Sequence, residues 1–223
     1  TFACGPTNSM RGAAFLSKIK DALVVDVGGT TTDVGEVQNG FPRLAGTSVT
    51  VAEVRTNFSM PDVISFGLGG GSLVQEKDPL SIGPTSVGNE LAQKSKVFGG
   101  NLLTASDIAV AAGRCKMGNK PAPNINILKE LLKIMDDMVS DRVARARTSD
   151  KEVPVLSVGG GSVMMPEKID GLKVISPPHS DLANAVGAAI AQVSGEVSKV
   201  VQLGDSIDRD TAISQVTKEA KKL

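Results

Sequence analysis

Apolar and polar positions fall into blocks along the chain, and the length and period of each block predict its element. Ala22-Leu23-Val24-Val25-Asp26-Val27 is an apolar run ending in an acid, the pattern of a buried strand. Gly28-Gly29 predicts a tight turn. Thr31 to Val37 then alternates and is rich in β-formers, which predicts a second strand returning beside the first. Asn39-Gly40 is a hairpin signal with a third strand from Phe41 onward. Upstream, Gly5-Pro6-Thr7-Asn8-Ser9 predicts the end of a turn and a helix cap, followed by Ala13, Ala14, Leu16 and Ile19 at helical spacing.

Short strands and loops fill 44–103, with a Gly-rich turn at 67–71. Thr104 predicts a cap for a short helix over Ala105 to Arg114. The clearest helix runs from Ile125 to Arg147. Leu128, Leu131, Leu132, Met135, Met138, Val139 and Val143 form its apolar stripe, and the opposite face carries a solvated Asp136-Asp137 pair. Pro154 to Val158 predicts another buried strand, ended by Gly159-Gly160-Gly161, with a short strand at Lys173 to Ser176. After Pro177-Pro178 a helix with small faces is predicted from about Asp181 to Val193, built on Ala183, Ala185, Gly187, Ala188 and Ala189. Strands that alternate with helices after an antiparallel start imply an α/β fold, a mixed sheet flanked by helices.

Composition narrows the classes. At 223 residues the chain is long enough for one substantial core or two small ones. Hydrophobic residues make up 41% and charged residues 22%, which sets aside disordered and collagen-like classes. Lys plus Arg equals Asp plus Glu at 24 each, so no net field favours nucleic acid or an anionic membrane. With no Trp or Tyr, only six Phe are left to stack single-stranded bases. No apolar run approaches the ~20 residues that span a bilayer. Thr1-Phe2-Ala3-Cys4 has neither the basic nor the apolar segment of a signal peptide, and Cys4 and Cys115 read as a reduced pair, so a cytoplasmic protein is expected. One histidine and no Cys-x-x-Cys argue against structural zinc. The missing initiator Met and the polar helical pattern from Thr211 to Leu223 read as a piece of a longer protein.

Chemistry concentrates in Asp26-Val27-Gly28-Gly29-Thr30-Thr31-Thr32-Asp33. A strand brings an acid to its carboxyl end, two glycines let backbone N–H groups approach an anion, and three threonines add hydroxyl donors. Such an acid reaches Mg²⁺ through water, because Mg²⁺ keeps much of its hydration. The plainer reading is a Gly-Gly β-turn with Asp26 as its cap. Neither G-x-x-x-x-G-K-[ST] nor a strand-to-helix G-x-G-x-x-G is present, so any phosphate grip here is a hairpin tip and not a helix N-terminus.

This segment resembles the phosphate hairpin of the actin, sugar kinase and heat-shock-70 superfamily. Together with Gly5-Pro-Thr-Asn-Ser-Met-Arg-Gly-Ala-Ala-Phe-Leu16, it closely resembles the A component of hydantoinase/oxoprolinase proteins, with gaps, from residue 5 to about 195. The resemblance implies a ribonuclease H-like lobe, the second of two that close on ATP. Residues 1–20 would be the linking helix, 21–200 the lobe with an insertion near 60–125, and 201–223 a helical extension. Val155 to Ser162 is similar to the adenosine-contacting strand and turn, and Ala183 to Ala189 to the second hinge helix. Members commonly carry D-x-H-T-x-G-x-G-G-G-S. This chain reads Asp62-Val63-Ile64-Ser65-Phe66-Gly67-Leu68-Gly69-Gly70-Gly71-Ser72, so Ile64 stands in place of the histidine and takes over no metal or substrate role.

The implied function is ATP-dependent opening of a cyclic amide by phosphorylation of the lactam oxygen. Asp26 would hold Mg²⁺ and, with Asp33, serve catalysis. Gly28, Gly29, Thr30, Thr31 and Thr32 would bind phosphates, and Gly159, Gly160, Gly161, Ser162 and Asn184 the nucleoside side. The missing first lobe and a hydantoinase B-type component are the implied partners. An actin-like nucleotide switch and an ATP-dependent ketone carboxylase subunit are the alternatives. His179 and Cys115 read as a surface histidine and a bystander thiol, and the turn at 67–72 as either a structural bend or an anion nest.

Overall fold

Helix α1 (Cys4–Ser17) begins earlier than the Gly5-Pro6 signal predicts. Pro6 lies in the first turn, where its missing N–H is one of the helix's unpaired donors anyway. The structure, a computed structural model, describes residues 4–46, 49–51, 54–56, 60–192, 197, 199–204 and 207–222. Parts of the expected ends, Thr1 to Ala3, Val193 and Leu223, lie outside them. The described chain divides into two compact units, residues 1–190 and 191–223.

In the first unit β1 (Ala22–Val27) and β2 (Thr32–Gln38) form the predicted hairpin, and β3 (Phe41–Pro42) follows the Asn39-Gly40 turn. Asn39 and Gly40 both have positive φ, at 54° and 81°, as a two-residue hairpin turn of this hand requires. Short strands β4 (Val49–Val51), β5 (Val54–Thr56), β6 (Val63–Phe66), β7 (Ser72–Gln75) and β8 (Ser81–Ser86) lead to α2 (Leu91–Lys94) and α3 (Ala105–Ala111). Thr104 caps α3 in a reciprocal box with Asp107. Then come α4 (Leu128–Ala146), β9 (Val155–Val158), β10 (Lys168–Ile169), β11 (Leu172–Ile175) and α5 (Ala183–Ala189). A 3-10 turn, Ser180–Leu182, precedes α5, which is shorter than its small-residue pattern predicts. In the second unit α6 (Arg209–Ala220) is capped by Asp208, whose side chain accepts from Thr211 N.

The main sheet is mixed, as expected, in the order β10-β11-β9-β1-β2-β3, with β6 also on β2. β1 pairs in parallel with β9 and antiparallel with β2. Two helical layers cover it. One face of β1 presents Leu23, Val25 and Val27 to α4, whose buried side chains are Leu131, Met135, Val139, Val143 and Ala146. Each fully buried Leu, Met or Val contributes about 1.5–3 kcal/mol of transfer free energy. The other face presents Ala22 and Val24 to Met10 and Ala13 of α1 and Ala183 of α5. Asp26 lies on that second face by the strand's period of two.

Asp136 departs from the solvated pair expected. Arg114, after α3, holds it by a two-pronged contact at 2.7 and 2.6 Å while also donating to Met164 O at 3.0 Å. Only Asp137 is a surface charge, paired with Lys133 four residues away. Asp136→Ala is expected to cost about 1–2 kcal/mol in urea unfolding, because it leaves a half-buried guanidinium short of its partner. Asp137→Ala should change little in the same measurement.

Candidate functional site

Asp26 and Asp33 face each other across the β1–β2 hairpin, and Ser65 of β6 pairs with Asp33. Residues opposite one another in a ladder share a face, so the two carboxylates and the serine form a row at the end of the sheet. Ser65 donates a hydrogen bond to Asp33 Oδ1. Burial pushes the Asp26 carboxyl above the usual carboxylate range, a hydrogen bond from Ser9 of α1 pulls it back, and the neighbouring charge of Asp33 raises it. Ile64, one residue before Ser65, points to the other face and packs in the α4-side core. A side chain there cannot join the carboxylate row.

The turn between the strands closes through Gly28 N–H to Thr31 O at 2.9 Å. Gly29, Thr30 and Thr31 are exposed at its tip. Among the described residues the amides of these three have no hydrogen-bond acceptor. Thr32 behaves differently. It is fully buried, and its hydroxyl donates to Leu68 O at 2.6 Å, so it braces the tip from below and offers no donor at it.

Two glycine turns grip the hairpin from opposite sides. Gly70 N and Gly71 N donate to Gly28 O and Gly29 O at 3.0 and 2.7 Å, and Gly69 N donates to Ser72 Oγ at 2.9 Å. These amides are all used internally, so the turn at 67–72 is a buttress and not an anion nest. A Cβ at Gly69 would lie 2.5 Å from Thr30 N. On the other side Gly161 N donates to Val27 O at 2.8 Å, and Gly159 N to Ser180 O at 3.0 Å, while Gly160 keeps a free amide among the described residues. A Cβ at Gly161 would lie 2.5 Å from Val27 Cγ1. Close backbone approach explains why both turns are glycine-rich. Sequence reasoning missed two supporting hydroxyls. Ser86 donates to Gly29 O at 3.3 Å, and Ser106, at the start of α3, donates to Gly70 O at 2.9 Å. The repeated Gly-Gly-Gly-Ser was the one signal of this support.

Beside Gly160 and Ser162 opens a cleft of about 570 Å³, also lined by Val163, Arg114, Cys115 and Lys116. Burial pushes the Cys115 thiol up, the opposite of an activated nucleophile. Ser162 is buried, with its hydroxyl at 3.4 Å from Ser180 Oγ. Asn184 is directed to α1, donating to Gly5 O at 2.9 Å and Ser9 Oγ at 3.1 Å. His179 sits in an exposed turn at φ 60°. Both cysteines are free, and among the described residues no helix is long and apolar enough to cross a membrane. No cluster of three or more His, Cys, Asp or Glu able to hold a metal exists among them either. Asp26 and Asp33 are the two carboxylates beside the hairpin tip.

The chain has relatives among known proteins. Among curated proteins, the acetophenone carboxylase gamma subunit of Aromatoleum aromaticum is 30% identical over 119 residues, covering 51% of this chain and 16% of that protein. Among solved structures, the ATP-dependent caprolactamase of Pseudomonas jessenii superposes with a TM-score of 0.69 at 18% identity, covering 98% of this chain and 38% of that one. Acetone carboxylase in its nucleotide-free form gives 0.64 at 19% identity, with the same coverage of 98% and 38%. These two show a common fold, and the chain spans well under half the length of each relative. Residues 1–130 match the family model described as hydantoinase/oxoprolinase, and with that match over more than half its length the chain belongs to the hydantoinase/oxoprolinase family.

Proposed function

We propose that this chain is the nucleotide-binding lobe of an ATP-dependent enzyme that opens cyclic amides such as a hydantoin or 5-oxoproline. The observation that carries this reading is the hairpin tip, held rigid by two glycine turns with the free amides of Gly29, Thr30 and Thr31 beside Asp26 and Asp33. Those amides, with the Thr30 and Thr31 hydroxyls, receive phosphate oxygens, and Gly28 and Thr32 hold the turn in shape. Asp26 and Asp33 hold Mg²⁺ through its water shell. The free Gly160 amide and the adjoining cleft, whose volume lies in the range of small-molecule sites, take the nucleoside. Bound Mg·ATP supplies the phosphoryl group that converts a resonance-stabilised amide into a reactive electrophile. The protein's own contribution is orientation and charge neutralisation by fixed groups.

In this reading residues 1–20 link the lobe to a first lobe with its own phosphate hairpin, 21–200 form the lobe, and 201–223 extend it. A hydantoinase B-type component completes ring opening, and the two free thiols suit the cytoplasm. A second reading, ATP-dependent carboxylation of a ketone, draws on the likeness to the acetophenone carboxylase gamma subunit. ATP consumption by the whole protein stimulated by cyclic amides favours the first, and consumption stimulated by ketone and bicarbonate the second.

Cys115 provides a local probe of the site. In the whole protein carrying Cys4→Ser, Mg·ATP is expected to slow alkylation of Cys115 at least about tenfold, because the thiol lines the cleft assigned to the nucleoside. An alkylation rate unchanged at saturating nucleotide would remove this cleft from the site. Absence of any Mg·ATP binding by the whole protein in calorimetry would overturn the nucleotide reading altogether.

A further inference from the structure

Hydroxyls around the hairpin mostly serve the backbone. Thr32 donates to Leu68 O, Ser86 to Gly29 O and Ser106 to Gly70 O, each tying one turn to another. Ser65 of β6 does not. Its hydroxyl donates to the Asp33 carboxylate, and its side chain stands exposed. A hydroxyl in that position could bond water as well, so the bond to Asp33 is set by where the strands place the two groups and not by burial. Strand propensity does not account for the serine either. Its neighbours Val63, Ile64 and Phe66 are all strand formers, and serine is not one of that class.

The register supplies the reason. Asp33 is the middle of the row, with Asp26 opposite it on β1 and Ser65 opposite it on β6. Cβ atoms paired in this way lie about 4.5–5.5 Å apart, within reach of a short side chain, and like charges so placed repel. A carboxylate that faces Asp26 on one side therefore gains from a donor on the other. Ser65 engages Asp33 Oδ1, and among the described residues nothing donates to Oδ2. One oxygen is pinned and the other is left for a ligand. The tip is close by, since Thr31, with its exposed and unpaired amide, precedes Asp33 by two residues.

We infer that Ser65 is a positioning residue for Asp33, holding one carboxylate oxygen so that the second stays available to the cation that accompanies the phosphates at the tip. The inference deepens the nucleotide reading of the site and rests on it. It makes β6 part of the site alongside the β1–β2 hairpin.

The test is the pair Ser65→Thr and Ser65→Val in the whole protein. These variants differ by a hydroxyl against a methyl on the same β-branched side chain, and the position is exposed, so both keep the fold. Calorimetry measures ATP affinity with Mg²⁺ and in a chelator. Affinity for Mg·ATP should fall about fivefold in Ser65→Val and stay within about twofold of the unaltered protein in Ser65→Thr, while metal-free ATP binds all three alike. Equal Mg·ATP affinities for the two variants, or a loss as large without Mg²⁺ as with it, would overturn the inference. A thermal double-mutant cycle of Ser65→Val with Asp33→Ala, run without nucleotide, tests the bond by itself. Non-additive midpoints support it, and additive midpoints sink it. If the unaltered protein binds no Mg·ATP, the nucleotide reading fails, and the cycle still decides whether Ser65 holds Asp33.

Discussion

Gly187→Ala is expected to destabilise the chain by about 3 kcal/mol or more, a large fraction of the roughly 5–15 kcal/mol that holds an ordinary domain together. A Cβ at Gly187 would lie 2.5 Å from the Asn8 carbonyl carbon and closer still to its oxygen. The obstacle is helix backbone, which cannot swing aside as a long side chain would. Gly12→Ala meets the same barrier on the partner helix, 2.6 Å from the Ala183 carbonyl carbon. Alanine is better than glycine inside a helix by about 1 kcal/mol, so propensity alone predicts the opposite sign. Either substitution must push α1 and α5 apart, and both act on one interface, so their combined cost should fall short of the sum. Gly5→Ala is the control. The nearest atom there is 3.9 Å away, an ordinary contact, and no loss is expected. Urea unfolding followed by circular dichroism measures all three, and a loss below about 1 kcal/mol for Gly187→Ala would show that the interface yields.

That interface shows where the sequence was legible and where it was not. β1, the Gly28-Gly29 turn and α4 were readable because each is declared locally, by run length, turn residues or a stripe at helical spacing. The apolar stripe of α4 needed only its own positions to predict Leu131, Met135, Val139 and Val143 as core. α5 is shorter than the sequence predicts because its small residues describe what it touches, not how far it runs. α1 begins before the sequence signal because Gly5-Pro6, a breaker pair in most contexts, lies in its first turn. The site divides in the same way. Asp26, Asp33 and the exposed Gly29 to Thr31 tip follow from one contiguous motif. Thr32 does not, since a threonine beside two donor threonines gives no hint that Leu68, 36 residues on, takes its hydroxyl. The buttressing of Gly28 and Gly29 by Gly70 and Gly71 and the bond from Asn184 to Ser9 are likewise long-range pairings, invisible to any local window. Ile64 was legible as a departure, but its consequence became clear only from the strand register, which turns it away from the carboxylates.

Asp26→Asn is expected to lower Mg·ATP affinity of the whole protein by roughly a hundredfold, about 2.7 kcal/mol, while leaving the protein at least as stable. The two effects have one cause. The carboxylate is held in a partly dry position beside a second acid, so its negative charge is disfavoured by burial and by Asp33, and only Ser9 favours it. A folded-state pKa above the ordinary 3.8 means that the folded chain binds this proton more tightly than the unfolded one. Stability therefore falls as pH rises from 3.8 through the raised pKa, and above that the full penalty persists. The amide keeps the shape and an oxygen for the Ser9 hydroxyl but removes the charge, so this part of the pH dependence should disappear in the variant. At neutral pH its thermal midpoint should be unchanged or raised by roughly 2–4 °C, the shift that about 1 kcal/mol gives a domain of this size. A residue retained only to cap a turn would not lower nucleotide affinity when replaced by an isosteric amide. Calorimetry with Mg·ATP and thermal melts across pH test both halves together. A variant that binds Mg·ATP as tightly as the unaltered protein would return Asp26 to the role of a turn cap, whereas lost binding with a preserved or raised midpoint identifies a strained charge kept for the cation it holds.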